Sequence, residues 1–155
     1  MKSLVGLIGW LALSFAAAFF GSRFMPGEWY AGLTKPSWNP PDYLFGPVWS
    51  VLYAMIGVSA WLVWRKAGFS GSGLALGIFA IHLVFNALWS YLFFGLHRPD
   101  LALLDIVVLW FAIVLVAVLF WRVHRLAGAM MLPYLAWVTF ASVLNYTLWS
   151  LNRPP

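Results

Sequence analysis

The stretch Leu101 to Trp121, LALLDIVVLWFAIVLVAVLFW, decides the fold class. It carries one charge, Asp105, and neither glycine nor proline. At about 1.5 Å per residue a helix of this length reaches about 30 Å, the thickness of a bilayer's hydrocarbon core. A membrane-barrel strand would instead be about ten residues long with alternating polarity, and Ile106 to Phe120 shows no alternation.

Outward from this segment, the stretches Ser3 to Ser22, Tyr43 to Trp64, Ala67 to His97 and Leu126 to Asn152 contain no Asp, Glu, Lys or Arg. Each supplies enough helix to cross a bilayer. The expectation is an all-α integral membrane protein: one domain over 1–155, a bundle of five transmembrane helices with approximate spans 4–22, 47–64, 74–96, 101–121 and 130–151. A long structured loop, 23–46, joins the first two. Composition agrees, since 64% of the 155 residues are hydrophobic and 8% charged, against about 25% charged in soluble domains. That excludes a soluble globular enzyme and a disordered chain.

The first segment also has the look of a secretory signal, with Lys2 before an apolar run and Ala16-Ala17-Ala18 near its end. The run is long for a signal core, and Ser14, Ala18 and Ser22 recur at a spacing suited to close helix packing. A retained helix is the expectation. Lys2, Arg65, Lys66, Arg122 and Arg125 fall on the amino-terminal side of the bundle, against Arg23, Lys35, Arg98 and Arg153 on the other. The bias places the amino terminus in the cytoplasm of a bacterial cell and the long loop opposite.

With no cysteine, disulfides, thiolate metal sites and cysteine nucleophiles are excluded. No metal site is expected. The net charge of +5 is spread singly or in pairs at the ends of apolar runs, so no nucleic-acid partner is expected. No catalytic triad, paired carboxylate or phosphate loop stands out.

The long loop is rich in proline and aromatics, whereas the other connections, around 68–73, 97–100 and 122–128, read as short turns. On the third span His82, Asn86, Trp89, Ser90 and Phe93 share one helical face, and on the fifth Tyr134, Trp137, Ala141, Leu144 and Asn145 do the same. The second span opens Pro47-Val48-Trp49 and reaches Tyr53 a turn later. Amide and imidazole groups on such faces must look inward, away from lipid. Singly, each reads more readily as packing or an interhelical hydrogen bond than as ligand binding, and Trp10, Trp61, Trp64, Trp121 and Trp149 as interfacial anchors. Together they outline an apolar pocket with flat walls and few polar anchors. His82 as a haem ligand and Asp105 as a relay carboxylate are minor readings beside hydrogen bonding and helix-end placement. Gly73 and Gly77 form a small-residue pair suited to a dimer face.

The loop sequence Trp29-Tyr30-Ala31-Gly32-Leu33-Thr34-Lys35-Pro36-Ser37-Trp38-Asn39-Pro40-Pro41 resembles that of the tryptophan-rich sensory protein / translocator protein family, also called the peripheral benzodiazepine receptor family. The likeness continues through Pro47-Val48-Trp49, Tyr53, Phe85-Asn86-Ala87-Leu88-Trp89-Ser90, Phe93-Phe94, Pro133-Tyr134, Trp137, Ala141 and Leu144-Asn145. The resemblance implies a five-helix bundle, commonly a homodimer, whose cavity is capped by the first loop and takes porphyrins and other tetrapyrroles, sterols or benzodiazepine-type compounds. It implies a lining of Tyr30, Trp38, Pro41, Trp49, Tyr53, Asn86, Trp89, Ser90, Trp137, Ala141 and Leu144. No cofactor is required; protoporphyrin IX or a haem-type tetrapyrrole is the implied ligand.

Three functions follow as expectations: a tetrapyrrole-binding membrane receptor or carrier; a light- and oxygen-dependent porphyrin-degrading enzyme with Trp49 and Trp137 as catalytic residues; and a structural membrane partner. Porphyrin propionates are expected to meet Arg23 or Lys35 at the mouth. Sterol binding through the family's proposed cholesterol pattern is in doubt, because Arg153 follows Tyr146 after six residues where at most five are allowed.

Overall fold

The computed structural model describes residues 2–153; the side chain of Lys2, one of the charges used above to orient the chain, lies outside the described residues. The regular structure among the described residues is all helical. Helix α1 is Lys2–Gly21, α2 the short Glu28–Ala31, α3 Phe45–Ser90, α4 Pro99–Val123 and α5 Arg125–Leu151. Four runs are long and apolar enough to cross a membrane: Ser3–Gly21, Asp42–Gly95, Pro99–Val123 and Arg125–Leu151.

The second run is 54 residues long, about 80 Å if straight, so it must fold back to stay within a bilayer. Gly68 makes the break. Its φ of 63° and ψ of −174° lie in a region that only glycine occupies without strain. Ser72 also departs from helical geometry, with its hydroxyl donating to the Gly68 carbonyl at 2.5 Å. The two arms of α3, 45–67 and 73–90, then lie side by side as the second and third spans. Their pairing is direct: the Tyr53 hydroxyl donates to Asn86 Oδ1 although 33 residues separate them. The architecture is therefore five membrane-length helices.

Where turns were expected at 68–73 and 122–128, helix persists up to one or two residues of broken geometry. Charged pairs mark where the chain leaves hydrocarbon, but they do not stop a helix. Between α4 and α5 only His124 is extended, at φ −147° and ψ 108°, so α5 starts at Arg125, five residues before the expected span. Gly128 permits this tight reversal, since a Cβ there would fall 2.6 Å from the Trp121 backbone. The third span ends in a π-helical turn, Tyr91–Gly95, with Leu96 N–H donating to the Tyr91 carbonyl at 2.8 Å.

The core runs through α3, α4 and α5, with Ile56, Val63, Phe79, Ile113, Val116, Phe120, Met131 and Val138 fully buried. Helix α1 lies outermost against α3 and meets it through small residues. Ser14 is fully buried, and a Cβ on Gly57 would come within 3.2 Å of both Leu11 and Ser14. Trp10, expected as an interfacial anchor, instead packs edge-on against Phe79 with ring centroids 6.0 Å apart. Outward faces carry Leu4, Val5, Leu74, Val84, Leu104 and Phe111 exposed, as lipid contact requires. Gly73 and Gly77 have open space around their Cβ positions.

Candidate functional site

A cavity of about 350 Å³ opens inside the bundle beneath the long loop, and all five long helices contribute to its wall. This is small-molecule size. Its flat surfaces are aromatic. The rings of Trp49 and Trp137 meet nearly at right angles with centroids 6.5 Å apart. Trp49 also leans on Tyr53 at 5.5 Å, and Trp137 on Phe45 at 6.0 Å. Trp89 stacks on Phe93 at 5.0 Å and meets Phe94 edge-on at 5.8 Å.

The π-helical turn brings two consecutive phenylalanines to one wall. Phe93 and Phe94, both within the turn, line the cavity. Such turns recur at binding sites.

Polar groups around the cavity mostly satisfy one another. Asn86 accepts from Tyr53 and donates through Nδ2 to the Tyr134 hydroxyl at 2.8 Å, joining both arms of α3 to α5. Trp89 Nε1 donates to Asn145 Oδ1 at 2.9 Å, and Asn145 Nδ2 donates to the Pro99 carbonyl at 2.8 Å, which ties in the start of α4. Trp137 Nε1 is the exception: it is buried and has no partner among the described residues. A buried donor left unpaired costs about 1–3 kcal/mol.

The loop lies over this cavity as a lid. Tyr30 is almost completely buried and forms part of the cavity wall, with edge contacts to Phe93 and Phe94. Burial pushes its hydroxyl above the usual tyrosine range, against the opposing hydrogen bond to Asn39 Oδ1 at 3.3 Å and with a smaller push from Asp42. Lys35 Nζ caps α2 through the carbonyls of Tyr30, Ala31 and Leu33, at 2.5, 3.2 and 3.3 Å. Trp29 stacks on His97 with centroids 4.5 Å apart. Asn152, beyond the end of α5, clamps Thr34 by accepting from its N–H at 2.8 Å and donating to its carbonyl at 2.9 Å.

Of the residues singled out in the sequence, Tyr30, Trp49, Tyr53, Asn86, Trp89, Ser90, Trp137, Ala141 and Leu144 line the cavity. Trp38 and Pro41 do not. Trp38 is 45% exposed and packs on Phe140 from the outer side of the lid, while Pro41 precedes the turn leading into α3. Neither Arg23 nor Lys35 reaches the cavity as expected for propionates: the Arg23 guanidinium sits over Phe19, and the Lys35 ammonium is held by carbonyls. The charged side chain in the lining is Asp42. His82 is buried below the cavity, its Nδ1 bonded to the Phe79 carbonyl, and Asp105 is buried on α4 outside the lining.

The sequence reading also missed Ala18, Gly21 and Ser22 of α1, which form a wall of the cavity. The four-residue spacing of Ala18 and Ser22 predicts helix packing and carries no signal of a cavity wall. They serve both ends, since a small face lets α1 approach Ser90 and leaves free volume beside it.

A family model described as the TspO/MBR family matches residues 9–150. The chain belongs to the TspO/MBR family. Among its relatives, the tryptophan-rich protein TspO of Chlorobaculum tepidum is 43% identical over 158 residues, covering 97% of this chain and 98% of the relative. The human translocator protein is 41% identical, with 87% of this chain and 83% of the relative covered. The tryptophan-rich sensory protein of Cereibacter sphaeroides is 39% identical, covering 92% and 88%. For this TspO/MBR protein the matched region takes in every helix that lines the cavity.

Proposed function

We propose that this protein is a membrane receptor or carrier for tetrapyrroles and similar flat, largely apolar ligands, held in the aromatic cavity beneath the lid. The observation that carries the reading is the lining itself: three tryptophans and four phenylalanines around one apolar cavity. A macrocycle buries its faces against the indoles, and its propionates project to the aqueous mouth. The bilayer holds the protein with its amino terminus in the cytoplasm and the lid opposite, and a second copy of the chain completes a homodimer. A sterol or other lipid is a competing occupant of the same cavity.

The test is a titration of protoporphyrin IX into the protein in nanodiscs, followed by tryptophan quenching. Saturable quenching is expected, weakened at least tenfold by Trp49→Phe with Trp137→Phe. Unchanged affinity in that double variant would sink the site.

A second reading has its own support in the Trp49–Trp137 contact at 6.5 Å, which suits a radical relay beside the ligand: photo-excited porphyrin gives an electron to dioxygen, which becomes superoxide, and the oxidised porphyrin is the species degraded, with the indole pair sharing its electron hole. Illumination separates the two. A carrier returns the porphyrin intact, whereas a degrading enzyme gives a new absorbing product that requires oxygen and both tryptophans.

A further inference from the structure

The two ends of the bundle treat their cations differently. At the lid end every base is engaged: Arg98 pairs with Asp100 at 2.6 Å, Lys35 is held by three carbonyls, and Arg23 and Arg153 sit over the Phe19 and Trp149 rings. At the opposite end Arg65 lies over Trp61. Lys66, Arg122 and Arg125 make no ion pair or side-chain hydrogen bond among the described residues.

These three free cations are not scattered. With His124 they surround one pocket of about 360 Å³ between the end of the second span and the α4–α5 reversal. The extended backbone at His124 places Arg122 and Arg125 on either side of the turn, and the amino end of α5 adds its own partial positive charge. Glu28, Asp42 and Asp100 belong to the lid end and Asp105 lies near the lid-end start of α4, so none of the four acids lines the cluster. Its remaining walls, Trp121 and Leu126, are apolar and about half exposed, at 49% and 58%. A tryptophan and a leucine beside three bases at the end of a membrane span match a molecule that is anionic on one side and hydrocarbon on the other.

We propose that this pocket binds an anionic phospholipid: its phosphate is held by Lys66, Arg122 and Arg125, and its acyl chains run along Trp121 and Leu126. Three cations without a counter-charge favour a headgroup bearing two phosphates over one bearing a single phosphate. The site is separate from the aromatic cavity and independent of what fills that cavity.

The experiment is native mass spectrometry of the full chain released from nanodiscs of phosphatidylcholine doped with a few per cent of either a diphosphate phospholipid or phosphatidylglycerol. One retained anionic lipid per chain is expected, the diphosphate form preferred, with retention at least tenfold lower in Arg122→Gln/Arg125→Gln and unchanged in Arg23→Gln. Equal retention of neutral and anionic lipid, or full retention in the double variant, overturns the proposal. Millimolar inorganic phosphate is the second arm: displacement of the lipid by it would make a soluble phosphate the occupant and overturn the lipid assignment. Should the double variant fail to fold, brominated-chain anionic lipid is added to the unaltered protein and to Trp121→Phe. The proposal requires quenching that Trp121→Phe diminishes, and equal quenching in both proteins rejects it.

Discussion

At the scale of single residues, the charge at the cavity mouth sets a testable preference. Asp42 is the charged side chain in the lining, while the nearby bases Arg23 and Lys35 are turned to a ring and to backbone carbonyls. A porphyrin with two ionised propionates projecting there meets a like charge, worth up to about 1 kcal/mol at close range in water and less in salt. Asp42→Asn is therefore expected to tighten protoporphyrin binding about two- to fivefold at low ionic strength. The dimethyl ester, lacking those charges, is expected to bind both proteins alike. Weaker binding of the free acid to Asp42→Asn would show that the propionates lie elsewhere. The sequence located Trp137 on an inward face by periodicity alone, but not that its N–H is unmet. Which donors pair depends on what stands across the gap on other helices: Trp89 finds Asn145 and Trp137 finds nothing. Nor could periodicity place Trp38, because an irregular loop has no repeating face to read.

At the scale of helices, span number and order were legible because hydrocarbon thickness fixes the length of apolar run that can cross it. Helix ends were not, because the features that end these helices are conformational. Gly68 holds a backbone geometry closed to other residues, and one extended residue, His124, suffices to reverse α4 into α5. Gly68→Ala is expected to destabilise the protein by about 1–3 kcal/mol through backbone strain, since a Cβ there meets nothing nearer than 3.9 Å. Gly73→Ala, five residues on in helical geometry and open space, is the control and is expected to be neutral or stabilising by up to about 1 kcal/mol. Thermal unfolding in detergent reads both. Equal effects would mean that the break between the second and third spans does not depend on the Gly68 conformation.

At the scale of the whole molecule, the lid is fastened by the far end of the chain. Asn152 makes two hydrogen bonds to Thr34 across 118 residues, so the last turn of α5 decides how firmly the loop covers a cavity that all five spans enclose. Neither residue lines that cavity. Asn152→Ala removes both hydrogen bonds to Thr34 and a third to the Leu148 carbonyl, each worth about 0.5–1.5 kcal/mol, and is expected to speed both entry and release of a ligand several-fold while changing its affinity less. Alkali is expected to act on the same gate through Tyr30. Burial raises its hydroxyl above the usual value near 10, so the closed lid favours the neutral phenol, and a displaced lid gives up that proton first. The seated state is therefore fully stable below about pH 10 and loses stability as the pH climbs above it. Stopped-flow displacement of bound porphyrin should show release accelerating above pH 10 in the unaltered protein and not in Tyr30→Phe. Acceleration persisting in Tyr30→Phe would overturn the assignment of the gate to the Tyr30 hydroxyl.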